Sequence, residues 1–303
     1  MLEHLQSHPA YRHLLKQVQA GENTSPLALL RSARPLLMAA LAADMSAPVL
    51  VITDRMDRVS TYYDEAGFWQ PHLHRVIFAE PNSLFYEKDP WGPQTRRDRL
   101  QTLTALAEYH LPGGNPQSHP LIFASAKAVM TRSMPRRDFL KALVRITRGM
   151  NLPQEKLLYQ LVSLGYEAVE IVAEPGQFAH RGGILDIWSM TADHPIRLDY
   201  FGDEVDTIKL FDPASQRAIQ PLEKYLLPPA REFLQPLNPD PQMEAQPYTE
   251  FHLALLHAFP SSLLDYLPRG TLVILDDSAK LESAVNLIEE EAVGNRNEAI
   301  WAG

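Results

Sequence analysis

The residues with the most chemistry to offer lie in "RGGILDIWSMTADHPIRLDYFGDE", which begins at Arg181. Its alternation reads as a β-hairpin. Residues two apart on an extended strand share a face, so Arg197, Asp199 and Phe201 project together while Ile196, Leu198 and Tyr200 point the other way. If "GGILDIW" pairs with "IRLDYF", Arg181 lies near the edge of the same sheet. A guanidinium, a carboxylate and a phenyl in a row form no catalytic set. What they offer is recognition: a bidentate fork for a carboxylate beside an apolar anchor. On the residues alone a second reading stays open, in which Arg197 and Asp199 form an exposed ion pair worth ~0–1 kcal/mol and Phe201 turns inward at the "FGDE" turn.

The remaining candidates are thinner. His72 and His74 place two imidazoles on one strand face without a third ligand nearby. Glu289, Glu290 and Glu291 read as a solvated helix face, and the arginines of "MPRRDF" as surface charge near a helix start. No G-x-S-x-G pattern marks a nucleophile, and the absence of cysteine rules out disulfides, thiolate metal sites and a cysteine nucleophile. The expectation is a chain with no catalytic, cofactor or metal site.

Composition sets the bounds. At 303 residues, 45% hydrophobic and 21% charged, the chain is long enough for two or three compact units. A formal charge of -9 argues against a surface that is one nucleic-acid footprint, since phosphate binding needs clustered Lys and Arg. The opening segment has no apolar signal region and no run approaching ~18 apolar residues follows, so the expected location is cytoplasmic, with no membrane partner.

The elements that must position these residues change style along the chain. Up to about residue 141 the rhythm is α/β: "LLMAALAADM" is helical, "APVLVITD" a buried strand, "DRVSTYYDEAGFW" a helix, "HRVIFAEP" a strand, "TRRDRLQTLTALAEYH" a helix and "LIFASAKAV" a third strand, with Ser125 capping the helix after it. From 142 to about 228 comes a helix, "LPQEKLLYQLVSLG", with Asn151 as N-cap, an apolar stripe of Leu157, Leu161 and Leu164, and Gly165 as its stop. Short strands in an antiparallel meander follow, a sheet that can leave one face wet. The part from 229 to 303 starts in a proline-rich crossing and holds the amphipathic "EFHLALLHAFPSSLLDYL", the strand "GTLVILDD" and the helix "SAKLESAVNLIEEEAV". Strand then helix suggests that it completes the first α/β unit, with the meander inserted between the halves.

The stretch "EPGQFAHRGGILDIWSM…HPIRLDYFGDEVDTIKLFDPASQRAI" resembles the signature of the UvrB-like module at the N-terminus of the bacterial transcription-repair coupling factor, Mfd. "NSLFYEKDPWGPQTRRDRLQTL" and "LPPAREF" extend the resemblance to roughly residues 20–290. It implies a degenerate P-loop, RecA-like α/β domain made of two segments, 1–141 (domain 1a) and 229–303 (domain 1b), with an inserted α+β domain, 142–228, that binds UvrA through Arg181, Arg197 and Phe201. RNA polymerase and DNA would be engaged only by domains outside these residues, including the translocase motor. The resemblance is shared by UvrB, whose working P-loop reads G-x-x-x-x-G-K-[ST] and whose tyrosine-rich hairpin inserts into DNA. At the corresponding place stands "LALLRSARPLLMAAL", where Ser32, Ala33, Arg34 and Pro35 supply neither the glycines that bare backbone N–H groups to phosphate nor the lysine. "TLVILDD" has the shape of a Walker B strand, although Asp276 and Asp277 equally suit the start of a helix. Only about a dozen residues, with Phe85, Tyr86 and Trp91, separate "VIFAEP" from the helix at Thr95, too few for a long hairpin.

The expected function is therefore a non-catalytic interaction module of transcription-coupled nucleotide excision repair that recruits UvrA. The alternatives are an ATP-dependent helicase or excinuclease subunit like UvrB, and a DNA-binding architectural module. Alanine at Arg181, Arg197 or Phe201 is expected to weaken docking while leaving folding almost unchanged.

Overall fold

The computed structural model describes residues 1–81, 89–114, 116, 118–235 and 248–302, with side chains to residue 296; Phe85 and Tyr86 lie outside the described residues. The described strands are β1 (Val49–Thr53), β2 (Arg75–Phe78), β3 (Leu121–Ser125), β4 (Val144–Thr147), β5 (Glu167–Ala168), β6 (Gln177–Arg181), β7 (Ile184–Ile187), β8 (Ile196–Phe201), β9 (Glu204–Phe211), β10 (Ala218–Leu222), β11 (Lys224–Leu227) and β12 (Leu272–Leu275). The chain divides into two compact units, one of Met1–Glu87, Ala105–Arg132 and Ser262–Gly303, the other of Lys88–Thr104 and Ser133–Ser261.

The first unit is built on a parallel sheet in the order β12-β1-β3-β2. Strands buried on both faces must be apolar throughout, and β1 and β3 ("VLVIT", "LIFAS") meet that demand. The late strand β12 docks beside β1 in parallel register, Val49 opposite Leu272 and Ile52 opposite Leu275, so residues far apart in sequence complete one sheet as the strand-helix rhythm predicts. The alanine-rich helix Arg34–Asp44 can lie close to the sheet. Its Met38, Ala39 and Ala42 join Val49, Val51, Val59, Tyr62 and Phe123 in one core. Ser125 caps the helix Ala126–Met130, its hydroxyl accepting the Ala128 N–H at 3.1 Å.

The second unit carries a six-stranded sheet, β10-β9-β8-β7-β6-β5, and a two-stranded ribbon of β4 with β11. All neighbours in the large sheet are antiparallel except β5 and β6, which run parallel. The antiparallel meander expected from sequence is present and gains strands that the pattern did not mark: β4, β6, β10 and β11 show no alternation strong enough to single them out. On the helix Gln154–Ser163, Leu157 and Leu161 are buried, as is Leu164 just beyond it, and Gly165 ends it with φ +83°. A side chain there would be strained and its Cβ would stand 2.7 Å from Cγ of Arg231. The expected N-cap does not form: the helix starts after Pro153 without a side-chain cap, while Asn151 bridges to Glu204 of the sheet. "EFHLALLHAFPSSLLDYL" is likewise broken into Glu250–His252, Leu253–Leu256 and Leu263–Tyr266, because Pro260 cannot continue a helix.

Two buried polar clusters brace this unit. Arg99, on the helix Pro93–Ala107 and wholly buried, pairs through Nε with Glu232 and donates from Nη2 to its Oε2 at 3.1 Å and to Oγ of Ser133 at 2.9 Å, while its guanidinium stacks 4.5 Å from the Trp91 ring. Burial pushes the Glu232 carboxyl above its ordinary pKa, with the Arg99 charge opposing. Beside it Glu250 accepts the Trp91 N–H at 3.2 Å and pairs with Arg231 at 3.1 Å.

Candidate protein-interaction face

On β8 the alternation produces the expected split. Ile196 and Leu198 are fully buried; Arg197 and Asp199 lie half open on the other face, and Phe201 is 84% exposed. Leu185, Ile187, Val205 and Ile208 are buried on the neighbouring strands, so the inward face of β7, β8 and β9 is apolar and the outward face is displayed. Phe201 sits at the hairpin end opposite Glu204, and Gly202 turns the chain there with φ +62°. Arg181, the last residue of β6, lies opposite Ile184 of β7. Its guanidinium donates to the Glu170 carbonyl at 2.6 Å. The structure thus places Arg181, Arg197 and Phe201 on one sheet.

The charges on this face pair across strands rather than along one. Arg197 does not pair with Asp199. Its Nε and Nη2 grip both oxygens of Asp186, each at 2.7 Å, Nη2 also donates to the Gln216 side chain at 2.8 Å, and the guanidinium lies 4.4 Å from the Phe211 ring centre. This pairing raises the guanidinium pKa further. Asp199 instead accepts from Lys209 at 2.8 Å and Thr207 at 2.5 Å; burial alone would raise its pKa, but these bonds outweigh it and hold the carboxyl below its usual value. Asp186, Lys209 and Gln216 are parts of the face that strand alternation alone did not single out. The signal was available in the pairing of "ILDI" with "IRLD", which sets Asp186 directly opposite Arg197.

This geometry corrects one expectation. Arg197 is not a free surface charge, because alanine there would leave a half-buried Asp186 without its fork and uncover Phe211. Arg197→Ala is therefore expected to cost about 1–2 kcal/mol of stability, visible as a lower urea midpoint. Phe201, with little to lose on truncation, is the cleaner probe of docking.

In the first unit, Ser32, Ala33, Arg34 and Pro35 span the end of a 3-10 turn, Arg31–Ala33, and the start of the helix Arg34–Asp44. Ala33 gives no side-chain cap and Pro35 no N–H, so this terminus has fewer donors than a phosphate cradle needs. Asp276, buried at the end of β12, is bound by Arg34 at 2.5 Å, Arg58 at 3.2 Å and the Tyr62 hydroxyl at 3.2 Å. Asp54 lies 3.1 Å from the same Arg58 nitrogen. Burial, then the Asp276 charge, raises the Tyr62 pKa. Only Asp277 acts as a helix-start residue, with φ +67° and its Oδ1 accepting the Lys280 N–H at 3.4 Å; Asp276 is an ion-pair anchor, which neither sequence reading anticipated.

The two histidines do not share a strand face. They precede β2, and His74 is bonded to the Ser118 hydroxyl at 3.0 Å, with burial lowering its pKa. Among the described residues no cluster of three metal-ligating side chains occurs, and no helix is long and apolar enough to cross a membrane.

Residues 144–233 match the UvrB interaction domain family. The chain is 25% identical over 300 residues to the transcription-repair-coupling factor of Bacillus subtilis (strain 168), covering 86% of this chain and 25% of that protein. Over 223 residues it is 30% identical to the Escherichia coli (strain K12) transcription-repair-coupling factor, covering 74% and 19% of the two chains. It is also 30% identical over 210 residues to UvrABC system protein B of Thermus thermophilus, covering 69% and 29%. The chain thus spans less than a third of the length of these curated relatives.

Proposed function

We propose, for a chain that carries a UvrB interaction domain and is similar over most of its length to transcription-repair coupling factor and UvrB, that it is a non-catalytic module of transcription-coupled nucleotide excision repair whose task is to recruit UvrA. The observation that carries the reading is Phe201: a phenyl ring 84% exposed beside a self-paired lattice of charges, inside the matched domain. A lone exposed apolar residue is ordinary; one at the end of a paired strand, in a sheet that also carries Arg181 and Arg197, suits a partner pocket. In this reading residues 1–141 and 229–303 correspond to UvrB-like domains 1a and 1b, and 142–228 to the docking domain. RNA polymerase and DNA are left to domains of the longer relatives.

Titration of purified UvrA with the chain tests the reading. Phe201→Ala is expected to weaken the complex at least ~10-fold, the equivalent of about 1.4 kcal/mol, with an unchanged melting temperature. Arg181→Ala should weaken it comparably, and Lys280→Ala, in the other unit, should leave it unchanged. Parental binding by a folded Phe201→Ala would move the docking site elsewhere.

We read the first unit as a RecA-like fold that has lost its P-loop. Arg34 is committed to Asp276, and the helix start offers too few donors for a triphosphate. Isothermal titration with Mg-ATP is expected to be flat. Saturable micromolar binding would instead favour a UvrB-like helicase role.

A further inference from the structure

The exposed apolar surface at the Phe201 end of the sheet has a second member. Ile184, the first residue of β7, is 41% exposed, although a β-branched side chain on a strand is ordinarily buried when a core is available. Its position follows from register: Ile184 pairs with Arg181 on one side and Asp199 on the other, and Phe201 lies two residues beyond Asp199, the bulge between Asp199 and Tyr200 placing its extra residue, Asp206, on β9 and leaving the alternation of β8 in step. That makes Ile184 and Phe201 diagonal neighbours, at a spacing of about 7–8 Å that long and aromatic side chains can bridge.

The charges around them are unevenly satisfied. Asp186 is held by Arg197 and Asp199 by Lys209, so the middle of the face is electrostatically closed. At its Phe201 end, Arg181 has a backbone carbonyl as its partner and Glu204 has no ion pair, so neither charge meets an opposite one among the described residues. A partner covering this end must supply what is missing. It needs an apolar pocket wide enough for a phenyl and a sec-butyl group, with a carboxylate on the Arg181 side and a cation on the Glu204 side.

We infer that Ile184 is a second docking residue beside Phe201, and that the partner surface it enters is an apolar pocket flanked by one acidic and one basic group. The inference rests on the docking role proposed above and deepens it. Ile184 adds apolar contact that excludes water from around Phe201, and strand pairing fixes the backbone positions that carry both side chains before the partner arrives, which lowers the ordering cost of association.

The test titrates purified UvrA with the parent chain, Phe201→Ala, Ile184→Thr and Ile184→Val, each checked for an unchanged melting temperature. Threonine keeps the β-branching that suits the strand, so loss of fold does not confuse the result. Ile184→Thr is expected to bind roughly 5-fold more weakly, in line with losing about one buried apolar group, while Ile184→Val stays within about 2-fold of the parent. Parental binding by Ile184→Thr beside a weakened Phe201→Ala would overturn the inference and leave the docking face standing. Parental binding by both would overturn both.

Discussion

Glu232→Ala is expected to destabilise the second unit by about 3–5 kcal/mol, measured as a fall in the urea midpoint at constant slope. Glu232 is the carboxylate partner of Arg99, and both side chains are almost completely shielded from solvent. Removing Glu232 takes away the carboxylate that neutralises this buried guanidinium, at a place screened from bulk solvent. The Ser133 hydroxyl and the Trp91 ring face are neutral partners and do not replace a full negative charge. The double variant Arg99→Met with Glu232→Leu should recover most of the loss, since replacing a buried pair by apolar groups is often close to neutral. A single variant within ~1 kcal/mol of the parent would mean that water enters the cluster. If the chain docks UvrA as proposed, Glu232→Ala should lose that binding only as it loses its fold, in contrast with Phe201→Ala.

Asp276→Ala should cost about 3 kcal/mol, at the lower end of the range for breaking a buried ion pair. Its two arginines are differently placed. Arg34 is partly exposed and can turn to water, whereas Arg58 is buried and, among the described residues, keeps Asp54 as its ion-pair partner. The Tyr62 hydroxyl loses an acceptor as well. Asp276→Asn retains the acceptor oxygen and should fall between. Neither variant should gain affinity for Mg-ATP, because the stretch leading into the helix Arg34–Asp44 carries neither glycine nor lysine to meet a phosphate. An unfolding midpoint of Asp276→Ala equal to the parent's would show that Arg34 and Arg58 need no counter-ion there.

These clusters show where the sequence was readable. The period of β8 alone separated Ile196 and Leu198 from Arg197, Asp199 and Phe201, because a strand with one wet face writes its burial directly into alternate residues. The apolar strands β1, β3 and β12 were readable for the complementary reason, their residues being almost all hydrophobic. Short or weakly patterned strands escaped: β10 is "AIQPL", almost wholly exposed and carrying a proline, so no period distinguishes it from a loop. Partnerships of charges were least visible. Arg99 with Glu232 and Arg34 with Asp276 join distant parts of the chain, and an arginine reads alike in solvent or in a buried pair. Arg197 with Asp186 lay within reach once the hairpin register was assumed, but strand alternation alone directs attention along β8 rather than across it.

The placement of β12 beside β1 bears on how the chain is made. β1 sits between β3 and β12, and its second partner is synthesised roughly 220 residues after it, a highly non-local contact. At ~5–20 residues per second, that strand edge stays unpaired for roughly 10–45 s on the ribosome. The hairpins from β6 to β9 close within a few tens of residues and can form during that interval. The six-stranded sheet would then mature ahead of the unit whose halves flank it in sequence, while β1 offers an open apolar edge to any other nascent strand.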